Sequence, residues 1–232
     1  MCISYDDVLF RIKEERLCLD LSQKEMGYYM RMTQSHYGKA ELGTRHFTFY
    51  ELKYLCESDI DIHYVFTGEK AESRYKEMLS GNGYSELVCF LDLYISIVLY
   101  YYVDETKDKW KNLFERIQYL RCAIEAYRNK GNIFYNIRTF LDYTQTKMSG
   151  ILGVDIKKLR NLENGRTLPD SDMLLKLYNL YKIPPALVLE DANSLISEIA
   201  CLFEMVDEEI VDKMNTFISD ISSSNSCRRF VE

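Results

Sequence analysis

Val8, Leu9, Ile12 and Leu17 recur at helical spacing behind Asp6 and Asp7, two acids suited to the positive end of a helix dipole, and so predict a first helix. Ser22 with Glu25 three residues on is a capping box that opens a second short helix, Ser22 to Met30. After a tight connection at Arg31 and Met32, Thr33 caps a third helix that runs to about Leu42 and is closed by Gly43. Thr48 caps a fourth with Leu52 and Leu55 facing inward, and a fifth passes through Ile62, Val65 and Phe66 to Thr67-Gly68. A break at Ser80 to Tyr84 precedes two longer helical patterns, about 85–103 and 105–129. Their apolar residues, including Phe90, Leu93, Ile97, Leu99, Trp110, Phe114 and Ile117, are too many for a floppy linker. Another helical pair is predicted at about 193–205 and 207–221, followed by a tail, 223–232, that should fray. Ten Gly and three Pro among 232 residues leave few of the tight turns that an all-β chain needs, so the expected fold is all-α.

The capped pattern is written twice. Aligned without a gap, residues 16–55 and 138–177 are identical at nine positions 122 residues apart: Arg16/Arg138, Leu19/Leu141, Asp20/Asp142, Gln23/Gln145, Met26/Met148, Glu41/Glu163, Gly43/Gly165, Leu52/Leu174 and Leu55/Leu177. In the second copy Thr144-Gln145 opens the second helix, Gly153 occupies the turn, and Asp155 caps a helix that ends at Leu162-Glu163-Asn164-Gly165. Arg31 stands where the second copy has that glycine. A non-Gly residue at positive φ is uncommon, so Arg31 is expected to shift the first turn.

Two short helices a few residues apart, the second with polar residues exposed at its start, make the helix-turn-helix geometry. Residues Ser22-Gln23 through Gly43, with the run "YVFTGE" at 64–69, resemble the Cro and phage-repressor type of helix-turn-helix, the XRE family. The resemblance implies two headpieces of the lambda-repressor type, each followed by a helical hairpin. It implies that Gln23 contacts a DNA phosphate and braces the recognition helix, a role that Gln145 repeats. Gln34-Ser35 matches the Gln-Ser pair that begins the lambda repressor's recognition helix. The family also places an ion pair between the first helix and the end of the recognition helix, here Arg16 with Glu41 and Arg138 with Glu163, read as structural.

The residue chemistry points the same way. Gln pairs bidentately with the major-groove edge of adenine, and Ser serves either base type. His36 and Lys39 are expected on the same exposed face as Gln34 and Ser35, with Tyr37 and Ala40 inward. Arg45, in the following loop, is placed for phosphate. In the second copy the expected recognition positions are Ile156, Lys157, Lys158 and Asn161: a lysine for guanine, Ile156 for a thymine methyl, and Asn164 and Arg166 for the DNA backbone. If both copies bind DNA they should therefore prefer different half-sites; the alternative is that one copy has lost DNA binding and survives as a packing module. These readings divide the chain into a first headpiece (1–69), a helical linker or hairpin (70–130), a second headpiece (131–191), an acidic helical pair (192–222) and the tail.

The net charge of −7 is unusual for a chain that binds phosphates, but it is unevenly spread. Residues 31–46 carry Arg31, Lys39 and Arg45 against Glu41, and 154–168 carry four bases against Asp155 and Glu163, so each stretch is +2. Residues 190–220 carry nine acids against Lys213, or −8. The helical pairs at 85–129 and 193–221 could fuse the headpieces into a pseudo-dimer or supply a homodimer interface; the sequence leaves both open.

Seven cysteines, Cys2, Cys18, Cys56, Cys89, Cys122, Cys201 and Cys227, are scattered with no CxxC pair and no nearby His, which suggests neither disulfides nor a metal site and fits reduced thiols in a cytoplasm. Asp6 and Asp7 argue against a signal peptide. Residues 87–103 are very apolar but contain Asp92 and end in Tyr100 to Tyr102, so a buried or interface helix is expected and no membrane span. His36, His46 and His63 have no nucleophile or metal-ligand spacing and read as surface residues; no catalytic site, cofactor or metal is expected. Double-stranded DNA is the expected partner. The rival reading is a protein-binding module, an inhibitor or antitoxin built on helix-turn-helix folds, whose acidic stretch engages a protein or imitates DNA.

Overall fold

The computed structural model describes residues 2–58, 60–102 and 108–216, with side chains over 108–112 left aside. The Trp110 side chain, the end of the last helix at 217–221 and the tail at 223–232 lie outside the described residues. Among the described residues the chain is helical throughout, without strands.

The first unit holds α1 (Tyr5–Cys18), α2 (Gln23–Tyr29), α3 (Gln34–Glu41), α4 (Phe49–Cys56) and α5 (Ile62–Thr67). Ser4, not the Asp pair, caps α1: its hydroxyl accepts from the Asp7 amide while the Asp7 carboxylate accepts from the Ser4 amide. The inward face of α1 is Val8, Leu9, Ile12 and Arg16; Leu17 is exposed. Ser22 and Thr48 form the capping boxes of α2 and α4, and Thr33 caps α3. Next come α6 (Ser73–Leu79), which the hydrophobic pattern did not announce, α7 (Tyr84–Tyr102) and α8 (Asp108–Arg128). The second unit is α9 (Ile133–Phe140), α10 (Gln145–Leu152), α11 (Ile156–Glu163), α12 (Ser171–Tyr181) and α13 (Pro185–Leu189), followed by α14 (Ala192–Phe203) and a helical stretch at 208–216.

The 122-residue echo extends to the backbone. Helix caps recur at Ser22/Thr144, Thr33/Asp155 and Thr48/Asp170. Left-handed residues recur at Asp20/Asp142 (φ 54° and 50°), Arg31/Gly153 (52° and 63°), Gly43/Gly165 (74° and 66°) and Gly68/Glu190 (75° and 50°). The expected displacement at Arg31 is therefore corrected. Arg31 takes the conformation of Gly153, and the amide after it donates to the carbonyl of Gly27 at 2.8 Å, as the Val154 amide does to Ser149 at 3.0 Å. Its guanidinium lies 4.3 Å from the centre of the Tyr54 ring, an attraction that offsets part of the cost of a left-handed side-chain-bearing residue.

Two cores result. One joins α6 to α14 and includes Met214; the other fills the first unit and takes in Leu174, Leu175 and Leu189 from α12 and α13. The two units thus touch directly. Across their seam α4 meets α13, α12 meets α5, and α5 meets α13. Since α4 is the counterpart of α12 and α5 of α13, this pairing is reciprocal, the mark of an isologous interface made within one chain. The Ser171 amide donates to the Phe47 carbonyl at 2.9 Å and the Phe47 amide to the Ser171 hydroxyl at 3.1 Å. The Lys53 ammonium donates to the Leu189 carbonyl.

The helices at 85–129 and after 192 pack inward. α7 lies against α8 and α14, and α8 against α9. By length and composition α7 could cross a membrane, but Leu87, Phe90, Leu91, Tyr94, Ile95 and Val98 are buried inside this fold and Asp92 pairs with Arg128 at 2.8 Å. One histidine is also corrected. His36 and His46 are exposed, whereas His63 is fully buried between α5 and α14, facing Glu198 and Cys201.

Candidate DNA-reading surfaces

Both units lock the N-terminus of one helix to the C-terminus of the next through a single buried glutamate. In the first, Glu41 accepts from Arg16 Nε at 2.8 Å, Gln23 Nε2 at 2.5 Å and the Tyr37 hydroxyl at 3.1 Å, while Arg16 Nη1 reaches the Leu21 carbonyl at 2.6 Å. In the second, Glu163 accepts from Arg138 Nε at 2.5 Å and Gln145 Nε2 at 2.8 Å, and Arg138 Nη1 reaches the Tyr143 carbonyl at 3.0 Å. Both carboxylates are almost wholly enclosed, at 5% and 3% side-chain exposure, so each charge depends on its arginine. Burial pushes the Glu41 carboxyl up, but the hydrogen bonds from Arg16 and Gln23 outweigh it and leave it below the usual carboxylate range. Burial likewise opposes the Arg16 charge, and Glu41 more than compensates, raising it. Tyr37 is driven up, first by burial and then by the adjacent Glu41. Leu159 holds the Tyr37 position in the second unit and adds no hydrogen bond there.

With Tyr37 and Ala40 buried, α3 turns Gln34, Ser35, His36 and Lys39 to solvent, on the common face the spacing implies. On α11, Leu159, Leu162 and Glu163 face inward. Ile156 and Lys157 are exposed at its start and Asn164 and Arg166 at and beyond its end, but Lys158 and Asn161 are half-buried. The Lys158 ammonium turns toward Asp170, the cap of α12, at 3.4 Å. The outward row is instead completed by Arg160, one turn on from Ile156 and Lys157. Arg160 Nη2 donates to Gln145 Oε1 at 3.5 Å, so Gln145 is held at both ends of its amide, by Glu163 and by Arg160. The i to i+3 step from Lys157 carried the signal for Arg160. Gly38 occupies its place in the first unit, where an added Cβ would lie 3.5 Å from the Gln23 Oε1.

Arg45 is placed differently from expectation. It forms a two-pronged pair with Glu51, at 2.7 and 3.0 Å, and donates to the His46 carbonyl at 3.1 Å. Its guanidinium is thus shared with Glu51 at the N-terminus of α4. The two outward faces therefore differ in charge as well as shape: α3 offers Lys39 among neutral polar groups, while α11 and its exit carry Lys157, Arg160 and Arg166.

Residues 131–194 match the family described as a helix-turn-helix domain. The match begins just before the Asn132 cap of α9 and runs into α14, so the matched helix-turn-helix domain spans α10 and α11. No curated protein and no solved structure matches the chain. In the helix-turn-helix geometry in general, the second helix is the one that enters the major groove.

Proposed function

We propose that the chain is a sequence-specific, double-stranded-DNA-binding transcriptional regulator acting in the cytoplasm as a repressor, with α3 and α11 reading unlike half-sites from an intramolecular pseudo-dimer. The carrying observation is the outward row of α11, Ile156, Lys157, Arg160 and Asn164, on a domain of helix-turn-helix type. Lys157 and Arg160 suit the acceptor edge of guanine, Ile156 a thymine methyl, and Arg166 a phosphate. The first unit repeats the caps, left-handed turns and Arg–Gln–Glu brace of the second, and exposes Gln34 and Ser35 at the corresponding position. Gln23 and Gln145 each retain one N–H for a phosphate after bracing their glutamate. The reciprocal seam supplies what a homodimer interface would otherwise provide, so the assembly is monomeric. Repression follows because occupying promoter DNA needs no activating surface.

The acidic stretch favours this reading over the protein-binding one. Asp191 caps α14, Glu198 is buried against Arg116, Asp207 holds the Tyr102 hydroxyl at 2.7 Å, Glu208 pairs with Arg74, and Glu209 with Lys213. Asp191, Glu198 and Asp207 thus serve the fold and are withdrawn from any anionic array, while Glu208 and Glu209 remain exposed in surface pairs. Fluorescence anisotropy with selected duplexes at rising salt tests the proposal. Lys157→Ala and Gln34→Ala should each weaken binding at one half-site, and Arg45→Ala should leave it intact. Absence of salt-sensitive binding, with a protein partner co-purifying instead, would transfer the assignment to the protein-binding reading.

A further inference from the structure

DNA reading makes no use of a second constellation, buried where the first unit meets α14. His63 on α5 is fully enclosed, and its Nε2 lies 3.4 Å from Sγ of Cys201 on α14. Glu69, just past the left-handed Gly68 that ends α5, brings a carboxylate oxygen to the same place: the three ligand atoms lie within 4.8 Å of one another. On the other side of the ring, His63 Nδ1 faces Glu198 Oε2 at 3.1 Å, and among the described residues neither atom has a hydrogen-bond partner. Arg116 anchors the second Glu198 oxygen at 2.6 Å. A carboxylate at Nδ1 calls for the proton on that nitrogen and leaves the Nε2 lone pair directed at Cys201.

We propose that His63, Cys201 and Glu69 bind a divalent transition-metal ion of the zinc class, with Glu198 as the outer carboxylate that orients the imidazole and a water in the fourth position. Imidazole, thiolate and carboxylate form the borderline-soft donor set that zinc accepts. A tetrahedral ion with zinc's bond lengths to sulfur and nitrogen holds those two ligand atoms about 3.5 Å apart, close to the separation already present. The two buried ligands sit on helices fixed by the core, while the third is exposed and free to turn inward. A cavity of about 400 Å³ lined by Thr67, Glu69, Arg116 and Tyr178 opens beside the cluster and provides an entry path. On binding, the Cys201 thiol gives up its proton to solvent and no redox change occurs. The ion ties α5 of the first unit to α14 across the seam that sets α3 relative to α11. None of this depends on DNA binding.

The test titrates the intact, metal-free chain with Co²⁺ and then Zn²⁺. One equivalent of Co²⁺ should give tetrahedral visible bands and a sulfur-to-cobalt charge-transfer band, both displaced by Zn²⁺, and Zn²⁺ should raise the melting temperature. Cys201→Ser should abolish the charge-transfer band. Glu69→Gln, at an exposed position, should weaken binding about tenfold while leaving the metal-free circular dichroism and melting unchanged. The proposal is overturned by failure to bind near one equivalent, by a charge-transfer band that survives Cys201→Ser, or by unchanged affinity in Glu69→Gln. Any of these would leave the cluster as a buried Cys–His hydrogen bond.

Discussion

Glu41 shows how much one side chain carries in this fold. Three donors converge on it, from α1, α2 and α3, and its own burial would otherwise oppose the charge. Glu41→Gln leaves the Arg16 charge enclosed without a counter-ion and should cost about 3 kcal/mol in denaturant unfolding. Because the folded-state carboxyl is held below its ordinary value, its contribution is complete above the unfolded value and is lost as pH falls through the lower folded one. The melting temperature of the natural chain should therefore fall more steeply below about pH 4.5 than that of Glu41→Gln. Lys157 and Arg160 carry the complementary functional prediction. Replacing either by Ala should cost about 1–3 kcal/mol at the preferred site, seen as a matching rise in Kd, and relax the base preference there. Arg45→Ala should instead slightly destabilise the fold, by about 1 kcal/mol for a half-buried pair, with DNA affinity retained.

At the scale of the element, the turn inside each helix pair, α2 to α3 and α10 to α11, has one geometry and two chemistries. Gly153 meets no close neighbour at the position of an added Cβ, only Lys176 Nζ at 3.8 Å, so Gly153→Ala isolates the cost of the left-handed backbone. It should destabilise by about 1 kcal/mol, measured by thermal unfolding. Arg31 accepts that cost and recovers part of it on Tyr54. The sequence expectation at this turn failed because the stacking partner lies 23 positions away, in another helix. Elements with local signals were legible: Ser22 with Glu25, Thr33, Thr48, Thr144 and Asp155 announce their helices in the residues themselves. α6 had no such signal, since Glu72 makes no side-chain cap bond and the helix buries only Tyr75 and Leu79. Arg160 was missed although the i to i+3 step from Lys157 pointed to it, whereas the turn of Lys158 toward Asp170 depends on where α12 lies.

At the scale of the whole molecule, what the sequence could not convey is the seam. Phe47 meets Ser171, His63 meets Glu198 and Cys201, and Lys53 meets Leu189, all between positions more than 120 residues apart with no shared periodicity. The repeat indicated two similar units; their reciprocal packing turns them into candidates for one two-part reader. Sedimentation should accordingly give a monomer with or without DNA. The net charge of −7 predicts slow encounter and weak non-specific affinity, so binding to unrelated duplexes should vanish at modest salt while the preferred site persists. Selection of binding sites from random duplexes with the intact chain tests the central claim most directly. The proposed two-part reader should select one motif with two unlike halves at fixed spacing, one half lost with Gln34→Ala and the other with Lys157→Ala. A single half-site, two identical halves, or no enriched sequence would contradict it.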